Sequence, residues 1–143
     1  MSAHCTTVRV GYPEVDRMGF AHHSRYPVWF EIGRTELMRA AGLPYVRLEE
    51  ELGLMFPVVE LGARYRRPAR YDELLTVRTV LAGLAGVRVR FRYRIEGPDG
   101  TGELARGFTE HASCGLDGRP RRIPVAVREI LAPWVDPAAE EEP

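Results

Sequence analysis

SRYPVWFEIGRTELMRAAG, from Ser24 to Gly42, is the stretch of this chain that decides its architecture. Trp29, Phe30, Gly33, Leu37, Ala40 and Ala41 fall on one face of a helix predicted from Arg25 to Ala41. Several of them are small, which lets a sheet approach closely. Ser24 is a suitable N-cap, and Pro27 sits in the first turn, where its missing N–H costs little. Gly42, followed by Leu43 and Pro44, is a stop signal. A second short helix is expected from Pro44 to near Leu52.

Downstream of these helices the apolar period changes from 3.6 to 2. Four strands are predicted, from Leu54 to Arg66, Leu74 to Leu84, Val87 to Glu96 and Glu103 to Leu116. The third alternates cleanly, with Val87, Val89, Phe91, Tyr93 and Ile95 on one side and Arg88, Arg90, Arg92 and Arg94 on the other. Pro98-Asp99-Gly100 and Asp117-Gly118-Arg119-Pro120 are turn sequences. Upstream, a strand from Thr6 to Tyr12 leads into a loop from Pro13 to about Ser24. One strand, one long helix and then a run of hairpin-connected strands imply an α+β layer, with the helix along one face of an antiparallel sheet. Residues 1–135 are read as one domain. Residues 136–143, rich in Ala, Glu and Pro, are expected to lack fixed structure.

Composition narrows the function. The chain has 143 residues, is 45% hydrophobic and 28% charged, and carries no formal net charge. That balance argues against nucleic acid or an anionic membrane as partner. No apolar run approaches the roughly 20 residues that span a bilayer, and the N-terminus lacks a secretory pattern, so a cytoplasmic location is expected. Cys5 and Cys114 are read as reduced, small hydrophobes. All twenty basic residues are Arg, and Lys, Asn and Gln are absent. Schiff-base and general-base chemistry by lysine is thereby excluded. Cys and His spacing fits no closed zinc site, and neither a Gly-x-Ser-x-Gly elbow nor a Gly-rich phosphate loop is present.

Chemistry concentrates between Tyr12 and Tyr26, where Asp16, Gly19, His22 and His23 precede the long helix. A helix entrance offers unpaired N–H groups and the positive end of a dipole, which can hold a developing oxyanion. A carboxylate on the loop before it can attack a carbonyl or activate water. A thioester suits such a site because a thiolate leaves without a strong acid to protonate it. An Asp in this place is also an ordinary turn or capping residue, so spacing alone leaves both readings open.

The pattern from Tyr12 to Arg34, Y-x-x-x-D-x-M-G-F-x-H-H-x-x-Y-x-x-W-F-E-x-x-R, resembles the 4-hydroxybenzoyl-CoA thioesterase family, and within it the branch of broad acyl-CoA thioesterases associated with the Tol-Pal system. Arg64 to Glu73 resembles that family's strand-turn-strand signature, and the likeness runs from about Val8 to Pro124. It implies the hotdog fold, a five-stranded antiparallel sheet wrapped around one long helix. It also implies a homodimer joined at sheet edges, often doubled to a tetramer, with active sites at the dimer interface. The substrate would be an acyl-CoA, with coenzyme A as part of the substrate and no other cofactor or metal.

By matching position the resemblance makes Asp16 the essential carboxylate, as nucleophile or general base. It makes His23 the helix-entrance residue whose N–H polarises the thioester carbonyl, and Tyr12 a tyrosine lining the site. Gly19 would permit the turn that presents Asp16, and Tyr26 would pack or contact substrate. Arg88, Arg90 and Arg67 are candidates for the CoA phosphates by charge, with Arg66 and Arg70 behind them. The family's best-known phosphate cluster falls on Ala85, Gly86 and Val87, so it is not reproduced in this chain. Glu31, three residues before Arg34, is a rival catalytic carboxylate or half of an ion pair. A hydratase of the same fold and a non-catalytic acyl-CoA-binding subunit are the alternative functions.

Overall fold

A computed structural model describes residues 3–141. The long helix is α1, Arg25–Ala40, followed by α2, Tyr45–Leu52. The strands are β1 Ala3–Arg9, β2 Leu54–Met55, β3 Val58–Tyr65, β4 Leu74–Ala85, β5 Arg88–Glu96, β6 Glu103–Ala112 and β7 Cys114–Gly115. A third helix, α3, Val125–Leu131, follows β7. β1, β4, β5, β6 and β3 form one antiparallel sheet in that order, and β2 pairs with β7 in a small ribbon. This is the α+β hotdog arrangement expected above.

Two expectations about the strands are corrected. The run from Leu54 is broken at Phe56-Pro57, because Pro57 has no N–H to give a ladder. Its first part pairs with β7, and its second enters the large sheet. The four late strands are also not all joined by hairpins. β3 lies beside β6 at one edge, whereas β4 lies on the other side of β5, against β1. Residues 66–73 make that crossing.

α1 presses Tyr26, Trp29, Phe30, Gly33, Leu37 and Met38 into the core, while Ala40 faces out. Burying each large side chain of this set contributes about 1.5–3 kcal/mol. Phe30 stacks on Tyr93 of β5 at 4.4 Å between ring centroids. Gly33 lets the helix settle onto β4, since a Cβ there would lie 2.4 Å from Thr79 Oγ1. The inward side of β5, namely Val89, Phe91, Tyr93 and Ile95, is buried as the alternation required. Gly42 takes φ +90° after α1 and Gly53 takes +59° after α2, conformations that cost other residues more. Ser24 does not cap α1 through its side chain; its Oγ lies 2.8 Å from His22 Nδ1 instead.

Cys114 is buried, but Cys5 is exposed on β1, and both thiols are free. Leu54 and Phe56 join the core, whereas Val58 stands 44% exposed on β3. The tail also differs from the expectation for residues 136–143. Pro137–Glu141 forms a 3-10 helix, Asp136 N–H donates to Leu81 O at 2.9 Å, and Ala139 is buried. Small side chains at Ala138 and Ala139 let this segment lie close against β4 despite its acidic composition. Residues 142 and 143 lie outside the described part. No described helix is long and apolar enough to cross a membrane.

Candidate active site

The loop between β1 and α1 is held at both ends. It begins with a 3-10 turn, Tyr12–Glu14, closed by the Glu14 carboxylate. Glu14 Oε1 accepts from Gly11 N–H at 2.8 Å, and Oε2 accepts from Trp29 Nε1 at 3.1 Å. That second bond ties the loop to the buried side of α1. Further on, Asp16 N–H donates to Phe20 O at 2.8 Å and Gly19 N–H donates to Asp16 O at 3.0 Å. Gly19, at φ +80°, makes this tight reversal possible. Asp16 Oδ1 accepts from Met18 N–H at 2.9 Å and from Phe20 N–H at 3.2 Å. One carboxylate oxygen is therefore fixed by its own turn, which sets the direction of the whole group.

The returning strand of the loop is pinned to the connection after β3. Phe20 bridges to Arg70, and Ala21 N–H donates to Ala69 O at 2.8 Å. Arg70 also lies over the Phe20 ring at 4.8 Å. The rings of His22 and His23 lie 4.2 Å apart at their centroids, tilted by 35°, just before α1. The Tyr65 hydroxyl donates to His23 O at 3.2 Å. Among the described residues the His23 N–H has no hydrogen-bond acceptor, as befits a helix entrance.

These restraints create an open cleft of about 370 Å³ lined by Asp16, Phe20, His22, His23, Tyr26, Tyr65, Arg66, Arg67 and others. Of the residues singled out from sequence, Asp16, His23, Tyr26 and Arg67 thus share one wall-to-wall space, and Gly19 shapes the turn beneath it. Tyr26 is packed edge-on between Trp29 and Tyr65, each at 4.8 Å. Burial holds its phenol above the ordinary range, so it remains a neutral hydroxyl at pH 7. Arg67 Nη2 donates to Thr101 O.

Three expected site residues are elsewhere in this chain. Tyr12 is 77% exposed and meets Tyr71 edge-on at 5.7 Å, outside the lining of the cleft. Arg88 pairs with Glu110 at 3.3 Å, and Arg90 lies over the Phe108 ring at 4.2 Å. Strand alternation placed both arginines on the outer side of the sheet, but the end of β5 that bears them is remote from the loop. Conversely, Glu14, Tyr65 and Pro68 were not anticipated. Glu14 sits three residues after Gly11, a spacing that signals its turn. Nothing local signals its bond to Trp29.

Among the described residues no three His, Cys, Asp or Glu side chains gather as metal ligands would. Glu31 is exposed, and no ion pair joins it to Arg34 among the described residues. Arg34 instead reaches inward, its charge acting on Tyr45, Tyr93 and His111.

Comparison with known proteins shows the family. Residues 10–134 match the thioesterase-like superfamily. The chain belongs to that superfamily. It is 32% identical to YneP of Bacillus subtilis over 127 residues, covering 89% of this chain and 88% of that protein. It is 36% identical to the acyl-CoA thioesterase YbgC of Haemophilus influenzae over 88 residues, 62% of this chain and 65% of that one. The crystal structure of TT1821 from Thermus thermophilus superposes with a TM-score of 0.85 at 42% identity, covering 92% and 97% of the two chains. A 4-hydroxybenzoyl-CoA thioesterase structure shares the fold, at a TM-score of 0.83 and 20% identity over 91% of this chain and 99% of that one.

Proposed function

We propose that this superfamily member is an acyl-CoA thioesterase, converting an acyl-CoA and water to a carboxylic acid and coenzyme A. The observation that carries the reading is the shared cleft of Asp16 and the α1 entrance at His23. The thioester carbonyl oxygen would sit at the His23 N–H, where the helix entrance stabilises negative charge as it develops. The Asp16 oxygen not engaged by the turn then acts on the opposite side. As general base it takes a proton from water while the water oxygen bonds to the carbonyl carbon. The C–S bond then breaks, and coenzyme A leaves as the thiolate. As nucleophile it bonds to that carbon itself, the C–S bond breaks with coenzyme A leaving as the thiolate, and water opens the resulting acyl anhydride. Tyr26 and Tyr65 form an aromatic wall beside the reacting carbon, and Tyr65 also fixes the His23 carbonyl.

Replacing Asp16 with Asn keeps an oxygen acceptor for the Met18 and Phe20 amides but removes the anion. We expect Asp16→Asn to lower kcat for a panel of acyl-CoAs by about 100-fold or more. Wild-type turnover in the variant removes Asp16 from the reaction. In a single turnover in ¹⁸O-water, heavy oxygen in the Asp16 side chain identifies direct attack, with water opening the anhydride at the Asp16 carbonyl carbon, because the general-base route never labels Asp16.

The proposal extends to a homodimer. β3 is a sheet edge carrying Val58, Val59, Leu61 and Tyr65, each 44–51% exposed. Exposed apolar edges of this length invite strand pairing with another chain. A second copy joined there would extend the sheet and border the cleft at Tyr65.

A further inference from the structure

His22 lines the cleft together with Asp16 and His23, yet the steps above give it no part. Its backbone is fixed from both sides. Its N–H donates to Glu14 O at 2.9 Å, and its C=O accepts from Arg25 N–H at 2.9 Å. The side chain is held as firmly. Ser24 N–H donates to His22 Nδ1 at 3.3 Å, and Ser24 Oγ lies 2.8 Å from the same nitrogen. The His23 ring flanks the imidazole at 4.2 Å between centroids.

A backbone N–H can only donate, so Nδ1 presents its lone pair to Ser24. The neutral ring then carries its proton on Nε2. Ser24 is the kind of residue whose hydroxyl ordinarily caps the first turn of a helix, but it makes no such bond to α1. Its hydroxyl serves the imidazole instead. A local preference set aside in this way beside a cleft marks a functional position. Among the described residues Nε2 has no hydrogen-bond partner, and His22 is exposed. A ring N–H of fixed tautomer is thus available in the space that Asp16 lines.

A thioester oxygen that becomes an oxyanion has room for more than one donor, and the His23 N–H supplies one. We propose that His22 Nε2–H is the second, a catalytic hydrogen-bond donor to the oxyanion whose tautomer Ser24 selects. This role rests on the thioesterase reading. No proton leaves His22 in the step. Its bond to the oxygen tightens as negative charge gathers there, and slackens as the C–S bond breaks and the carbonyl re-forms. His22 and His23 are consecutive, so one bend of the chain supplies both donors, a ring N–H and a backbone amide, and leaves the opposite side of the thioester to Asp16.

Two substitutions in the full chain separate the two ring nitrogens. His22→Asn keeps an acceptor for Ser24 N–H, because an Asn side chain bonds the amide two residues on, but it places nothing at Nε2. His22→Gln reaches the Nε2 position with an N–H but gives up the bond to Ser24. In steady-state hydrolysis of a panel of acyl-CoAs, His22→Asn should lower kcat about 100-fold with KM within about twofold of wild type, whereas His22→Gln should keep kcat within about fivefold. Thermal melts should rank the pair the other way, with His22→Asn unchanged and His22→Gln lower. Nitrogen-15 spectra of the wild-type imidazoles should show the neutral His22 ring protonated on Nε2, and a proton on Nδ1 overturns the proposal. Activity that follows the melts, or an equal loss in both variants, overturns the donor role and leaves the thioesterase reading standing. No hydrolysis of the panel by the wild type removes that reading and this role with it.

Discussion

His111 lies on the inner face of β6 with no exposed surface. Its Nδ1 is 2.8 Å from Phe56 O, which can only accept, so Nδ1 carries the proton. Its Nε2 is 2.7 Å from Thr109 Oγ1, and that hydroxyl in turn meets the Tyr93 hydroxyl. A neutral ring satisfies the whole chain, and a protonated one does not. Burial holds the imidazole down, the bond to Phe56 O works the other way, and the charge of Arg34 lowers it further, to about 4. The unfolded chain therefore takes up a proton near pH 6.5 that the folded chain refuses. Stability falls as pH drops from about 6.5 to about 4 and then levels, a loss of about 3 kcal/mol. Urea midpoints across that window should decline for the wild type. His111→Gln should start lower but lose this slope; an unchanged slope would clear His111 of the effect. Glu103 adds a second decline at lower pH. Burial pushes its carboxyl up, but Arg106, Arg66 and Arg94 together bring it below its ordinary value. Its contribution is complete above the unfolded carboxylate range and disappears as pH falls through the folded value.

At the scale of elements, the spacing between α1 and the sheet rests on two glycines. A Cβ at Gly33 would stand 2.4 Å from Thr79 Oγ1 and 2.7 Å from Val77 Cγ1. A Cβ at Gly107 would stand 2.5 Å from Gly62 O and 2.6 Å from the Phe30 ring. Forced contacts of this kind cost about 1–3 kcal/mol. Gly33→Ala and Gly107→Ala should each lower Tm by about 5–10 °C in thermal melts, and a Tm within about a degree of wild type would contradict the packing. Gly33 was legible in the helical pattern because a small residue on a buried face implies close approach. Gly107 was not, since its neighbour on α1 is fixed only by strand order. The same division runs through the fold. Helix ends at Gly42 and Gly53 and the two sides of β5 follow from local chemistry. The split at Pro57, the crossing from β3 to β4 and the seven-residue α3 depend on distant partners. At the cleft, Asp16, Gly19, His23 and Tyr26 were readable because one short run of sequence, from the loop into the first turn of α1, carries them all. Tyr65 and Pro68 reach it only through the pairing of β3 with β6, and Arg88 and Arg90 miss it for the same reason.

For the whole molecule, the proposed dimer puts the edge of β3 to use. Val59 and Leu61 are 51% and 44% exposed there, and a buried charge at such a seam is poorly tolerated. Val59→Lys with Leu61→Lys should shift sedimentation from dimer to monomer, weakening association by about 100-fold or more, while the melt of the single chain changes little. A wild-type monomer at all concentrations would end the dimer proposal. Tyr65 stands on this edge and holds the His23 carbonyl, so strand order at the rim and amide placement at the helix entrance are joined by one phenol. Dilution then becomes an inhibitor in its own right. On the dimer proposal a second copy borders the cleft beside Tyr65, so catalytic output per chain should drop at nanomolar protein, where chains separate, while remaining constant at micromolar.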